Sequence, residues 1–253
     1  MSRDNHAGAD WRAAATAQLV ARLTAQADPA TQAHWTSYLK GRARFRGVPM
    51  AAIRQSVRAL WRDHALAAYA TDDLVELAMG WFAAETSEDK LAGILLLAEQ
   101  LAPRLEQRHA DALAAPLARG ELADWNVVDW HATKAVHAFL TVRPADLEQR
   151  ALLVAHWADS EQLWQRRAAV VSFAKLAPRP PFDGFVQLVL DACARNLVSN
   201  DRFAHTGPGW VLRELSIAAP DDVAAFIAAH PELSAEGRRM ASARLRGGTY
   251  RRR

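Results

Sequence analysis

The stretch Asp124 to Leu140, D-W-N-V-V-D-W-H-A-T-K-A-V-H-A-F-L, decides how the chain is read. Val128, Ala132, Ala135, Val136 and Phe139 share one arc at helical period, so the stretch is an amphipathic helix with a core-facing stripe. Asp124 stands where an N-cap belongs. Trp125 and Asp129 are four positions apart and lie one above the other, beside the stripe rather than opposite it. A carboxylate at the edge of an apolar arc is partly desolvated and calls for a cation or a hydrogen-bond donor. Two readings follow. Asp129 pairs with an arginine from a neighbouring helix while Trp125 is core, or the cation is transient and the acid belongs to an enzyme site.

The same helical period extends outward in both directions. Helices are expected over Trp11 to Ala27, Gln32 to Lys40, from near Pro49, Asp72 to Ala84, Ser87 to Leu101 and Arg108 to Ala118. After the central helix, Asp124 to Thr141, they continue over Ala145 to Ala158, Ser160 to Leu176, Phe182 to Leu197, Arg202 to Ala218, Pro220 to Ala229 and Ser234 to Leu245. No segment alternates as a strand would. Connections are short and carry Pro, Gly, Asp or Ser. Alternate helices begin near Pro49, Ser87, Asp124, Ser160 and Arg202, a spacing of roughly 36 to 42 residues, close to that of HEAT-type helical pairs. Each pair leaves an apolar face that only a stacked neighbour covers. The expected fold is therefore all-α: a single curved α-solenoid of HEAT-like repeats over residues 1–246, followed by a basic, disordered tail at 247–253.

Composition agrees. Ala, Leu and Arg dominate, β-branched residues are sparse, and 51% of the 253 residues are hydrophobic, which argues against disorder. The longest apolar run, within Leu91 to Ala98, is too short to span a bilayer, so no membrane partner is expected. The first ten residues carry no apolar signal region, and a cytoplasmic, nucleoid-associated location is expected. Cys193, the one cysteine, reads as a small buried hydrophobe. With no Cys/His cluster, H-E-x-x-H or Walker loop, neither a metal nor another cofactor is expected.

Charge is more informative in its distribution than in its sum of +3. Between Asp28 and Asp63 there is no acid, while Lys40, Arg42, Arg44, Arg46, Arg54, Arg58 and Arg62 accumulate. Arg54, Arg58 and Arg62 follow at four-residue spacing along one helix face. A charge run is usually a solvated face. Without interspersed acids, this one is expected to meet a polyanion, because unpaired like charges repel until phosphates neutralise them.

Several segments in order resemble the AlkD-like DNA alkylation repair family, the HEAT-like-repeat alkylpurine DNA glycosylases. They are S-Y-L-K-G-R-A-R-F-R-G-V-P at Ser37 to Pro49, E-D-K-L-A-G-I-L-L-L at Glu88 to Leu97 and W-N-V-V-D at Trp125 to Asp129. L-W-Q-R-R-A-A-V at Leu163 to Val170 and G-W-V-L-R-E at Gly209 to Glu214 complete the set, which covers most of the chain. The family pattern places a tryptophan and an aspartate four apart, matching Trp125 and Asp129, a second tryptophan matching Trp210, an arginine matching Arg167 and a tyrosine matching Tyr38.

The resemblance implies that these groups surround an alkylated nucleotide in duplex DNA. Alkylation at N3 or N7 makes a purine cationic and a good leaving group; as the glycosidic bond breaks, positive charge develops on the sugar. Asp129 would stabilise that charge and orient a water, and the indoles of Trp125 and Trp210 would pack on the sugar. Arg167, with Lys40, Arg44, Arg54, Arg58 and Arg62, would hold phosphates, which positions the duplex without reading its sequence. The family's mode differs from base extrusion into a pocket: the lesion's own instability supplies much of the selectivity. No lysine stands beside Asp129 on its face, so a monofunctional enzyme leaving an abasic site is expected, acting as a monomer.

Two departures stand out. One aromatic and one acid of the usual W-W-D are missing before Asp129; Trp130 and His137, on a different arc, read as structural or exposed. Gly207-Pro208-Gly209 precedes Trp210, and proline is tolerated only in a helix's first turn, so that helix is expected to begin or kink late. The other tryptophans, Trp11, Trp35, Trp61, Trp81, Trp157 and Trp164, read as core. The rival readings are a catalytically idle solenoid that binds branched or damaged DNA and a protein-binding scaffold. Salt-sensitive DNA binding separates the glycosylase and the idle solenoid from the scaffold.

Overall fold

The structure is a computed structural model in which residues 7–245 are described, with side chains from Trp11 onward. The basic tail expected at 247–253 lies outside the described residues. The fold is all-α: no strand occurs among the described residues, and one isolated bridge joins Arg44 to Thr86. No helix among them is long and apolar enough to cross a membrane. The chain divides into two compact units, Met1–Leu105 and Glu106–Arg253.

The first unit contains α1 (Ala7–Ala25), α2 (Pro29–Tyr38), α3 (Met50–Asp63), α4 (Thr71–Phe82) and α5 (Ser87–Leu95), the last running on through a wider turn, Leu96–Leu101. Here α3 packs on α1 and α5, and α5 on α4. Two segments singled out in the sequence lock together. The buried carboxylate of Glu88, at the start of α5, accepts the backbone N–H groups of Arg46, Gly47 and Val48 at 2.8–3.2 Å. Gly47 is required twice over: its φ is +87°, and a Cβ there would fall 2.1 Å from the carbonyl oxygen of Asp28.

The second unit contains α6 (Ala110–Ala118), α7 (Trp125–Trp130), α8 (His137–Thr141), α9 (Leu147–His156) and α10 (Leu163–Val171). It continues with α11 (Phe185–Asn196), α12 (Arg202–Leu215), α13 (Pro220–Ala229) and α14 (Ala235–Ala241). Alternate helices stack: α7 on α10, α10 on α12, α12 on α14, and α9 on α11. The expected stripe of the central helix, Val128, Ala132, Ala135, Val136 and Phe139, is fully buried. Each of its larger members contributes about 1.5–3 kcal/mol by leaving water. The central helix is not uniform. Between α7 and α8 the stretch His131–Val136 widens, so the His137 N–H bonds the Ala132 carbonyl, one residue further back than in an α-helix.

The helix carrying Gly207-Pro208-Gly209 lies where the helical spacing places it, and it corrects the expectation that the proline makes it begin late. It starts at Arg202, with Asp201 as its N-cap, and runs through Pro208 to Leu215 without a late start. The reason is tertiary. A Cβ on Gly209 would lie 2.7 Å from the carbonyl oxygen of Gly237, so the two glycines bring the backbones of α12 and α14 together. That packing offsets the hydrogen bond the proline cannot donate.

Candidate functional site

Asp124 caps α7 as expected, its side chain accepting the N–H groups of Asn126 and Val127. This fixes the first turn, and with it Trp125, which is half-buried. One turn on, the Asp129 side chain is 17% exposed, at the edge of the apolar arc and open to a ligand. Its cation is Arg167 of α10, whose side chain is only 6% exposed. The guanidinium grips the carboxylate with both prongs, Nε to Oδ1 at 2.8 Å and Nη2 to Oδ2 at 2.9 Å. The remaining prong turns to α12, where Nη1 donates to the Phe203 carbonyl at 3.1 Å and to Thr206 Oγ1 at 3.2 Å. Gly207 leaves room for this, since a Cβ would stand 3.3 Å from Nη1.

Arg167 is therefore not presented to solvent as a phosphate ligand. Its burial, and the cost of leaving Asp129 unpaired, hold it inside; it acts on the carboxylate. Of the two readings of Asp129, the geometry contains the arginine pair and also an accessible face: each carboxylate oxygen accepts one N–H and keeps lone-pair capacity for a water or a cation.

Trp210, half-buried, lies at helical spacing from Phe203 and Thr206 and so on the side of α12 that meets Arg167. Phe203, Thr206 and Trp164 are missed by the sequence reading. The Trp164 ring sits 5.1 Å from that of Phe203, and Phe203 in turn lies 5.7 Å from the Arg167 guanidinium. Once α12 is known to run from Arg202 through Pro208, the spacing of Phe203, Thr206 and Trp210 carries the signal. The supposed break at Pro208 hid it. Among the other tryptophans, Trp81 and Trp157 are buried, whereas Trp11, Trp35, Trp61 and Trp164 are only half-buried. Trp130 and His137 are half-buried, and Lys134 lies 5.3 Å from the Trp130 ring.

In the first unit the basic residues behave differently from one another. The expectation of an unpaired stripe is corrected, because acids from beyond Asp63 fold back onto it. Arg44 pairs with Glu85 at 2.5 Å, Arg46 pairs with Asp89, and Arg54 and Arg58 share Glu99 at 2.7 and 3.1 Å. Lys40, Arg42 and Arg62 are exposed and form no ion pair among the described residues. Tyr38, 56% exposed, ends α2 beside a small aromatic group, 5.6 Å from Trp35 and 6.2 Å from His34. A cavity of about 410 Å³ in this unit, walled by Thr24, Gln32, Phe45, Arg46 and Thr86 among others, contains none of the expected catalytic residues.

Fold and site together define a class: a stack of helices carrying, on one helix edge, a carboxylate held in a fixed orientation by an arginine from another helix. The comparisons supply the family. The family model described as DNA alkylation repair enzyme matches residues 19–245, and the chain belongs to that family. A solved structure described as a predicted DNA alkylation repair enzyme from Enterococcus faecalis has a similar fold. The TM-score is 0.70 at 21% identity, over 86% of this chain and 95% of that one. Comparison with curated proteins gave no match. The family implies a role in the repair of alkylated DNA and hence a DNA substrate.

Proposed function

We propose that the protein is a monofunctional DNA glycosylase that hydrolyses the N-glycosidic bond of cationic N3- and N7-alkylated purines in duplex DNA, the first step of base excision repair. The observation that carries this is the Asp129–Arg167 pair: a carboxylate held through both oxygens by one guanidinium yet open to a ligand. A positively charged base departs with its bonding electrons and becomes neutral, leaving cationic character on the deoxyribose. Asp129 faces that charge, lowers its energy and orients a water for attack at the anomeric carbon; as the new C–O bond forms, the water's proton passes to the carboxylate and from there to solvent. Because Arg167 fixes the carboxylate beforehand, little reorganisation accompanies the reaction. The faces of Trp125 and Trp210 attract the same developing cation. Lys40, Arg42 and Arg62 serve as phosphate ligands, with Arg44, Arg54 and Arg58 contributing less because carboxylates already neutralise them.

The test is release of free base from methylated duplex DNA, followed chromatographically alongside a duplex carrying a neutral lesion. Release of 7-methylguanine with slow release of the neutral base supports the reading. DNA binding without release of any base contradicts it and leaves a non-catalytic helical-repeat protein that binds damaged DNA.

A further inference from the structure

We propose that Lys134 and Lys175 form a phosphate-binding site for a nucleic-acid backbone, beside the central helix beyond Asp129. The inference rests on the reading of the protein as one that acts on DNA.

The wider turn in the central helix creates the site. Across this turn the His137 N–H bonds the Ala132 and Lys134 carbonyls, and the Lys175 ammonium donates to the Thr133 carbonyl between them at 2.5 Å. The Thr133 hydroxyl donates back to the Asp129 carbonyl at 2.6 Å, so the same turn connects the lysine to the carboxylate-bearing residue. Lys134 is the next residue, exposed, its ammonium 5.3 Å from the Trp130 ring. Two lysines are thus brought to one short stretch of helix, and no carboxylate pairs with either among the described residues. Asp129, the acid one turn away, is already neutralised by Arg167.

His137 lies beside the pair, its Nδ1 buried with no hydrogen-bond partner among the described residues. Burial, then the charges of Lys175 and Lys134, push the imidazole down to about 4, so it is a neutral ring at physiological pH. Burial and the Lys134 charge likewise hold the Lys175 ammonium below its ordinary range. Like charges gathered without a counterion repel until an anion meets them, whereas the carboxylate-paired arginines of the first unit have theirs built in. Thr133 and His137 stand about 6 and 12 Å along the helix from Asp129 at 1.5 Å per residue.

The test is binding of a fluorescent unmodified duplex over a range of salt concentrations, in parallel with single-turnover excision of 7-methylguanine at saturating enzyme. The variants are Lys134→Ala, Lys134→Ala with Lys175→Met, and the double arginine replacement. Removing one phosphate ligand should reduce the slope of log K against log salt by ~0.9. The expected result is a slope shallower by about 1 in the single and about 2 in the double variant, with the slope restored by arginine. An unchanged slope in Lys134→Ala overturns the site. That variant removes no hydrogen bond, so misfolding is not expected to blur the result. A shallower slope in a protein that excises no base supports the phosphate site while removing the glycosylase reading. Excision by the wild type with unchanged slopes does the reverse.

Discussion

Four N–H···O bonds hold Arg167, two to Asp129 and two to α12, and they make it a positioning residue for the carboxylate. Arg167→Lys keeps the charge but loses the planar fork. Since a misplacement of about 1 Å costs on the order of 100-fold in rate, we expect single-turnover excision to fall ~10–100-fold while DNA affinity changes little. Arg167→Ala leaves a mostly buried carboxylate unpaired; with Asp129 still 17% exposed, the loss should sit near the lower end for buried pairs, about 3 kcal/mol, in urea denaturation. Thr206→Val removes one anchor of the guanidinium and should lower excision, with Thr206→Ser restoring it. Cys193 is buried, and burial pushes its thiol up, so the folded protein should resist thiol-modifying reagents.

At the scale of elements, the central helix depends on a neutral histidine. His131 is fully buried, its Nε2–H donating to the Leu113 carbonyl at 2.9 Å, and burial pushes its pKa from 6.5 to about 4. The unfolded chain protonates first as pH falls. The stability due to the neutral ring is therefore fully present above about 6.5 and lost between 6.5 and 4, about 3 kcal/mol in all. Equilibrium unfolding between pH 7.5 and 4.5 checks this, and His131→Leu should flatten that part of the profile. Gly209→Ala drives a methyl into the backbone of α14 and should cost about 1–3 kcal/mol, seen as a lower denaturation midpoint.

Much of this was legible in the sequence: the Asp124 cap, the buried arc through Phe139, and Trp125 and Asp129 on one face follow from local spacing alone. The extent of α12 from Arg202 was legible too, but not that Pro208 leaves its start undisturbed, which only Gly237, far along the chain, explains. The pairing of the basic run was hidden for the same reason, as Glu85, Asp89 and Glu99 lie outside the acid-free segment but next to it in space. Arg167 was recognisable by its motif, yet its direction was not, since a buried arginine and a surface one look alike in sequence.

For the molecule as a whole, a pI of about 9.3 and local clusters of unpaired cations predict DNA binding that weakens steeply with salt. Lys40→Ala, Arg42→Ala and Arg62→Ala together should reduce the salt slope more than Arg54→Ala with Arg58→Ala, since Glu99 already neutralises the latter pair. The measurement that bears most directly on the central claim is single-turnover release of 7-methylguanine by wild type and Asp129→Asn, with duplex binding measured on the same preparations. Release should fall by at least ~100-fold in the variant, with binding retained. Equal release by the two proteins would contradict it, and would leave the Asp129–Arg167 pair as an element of structure alone.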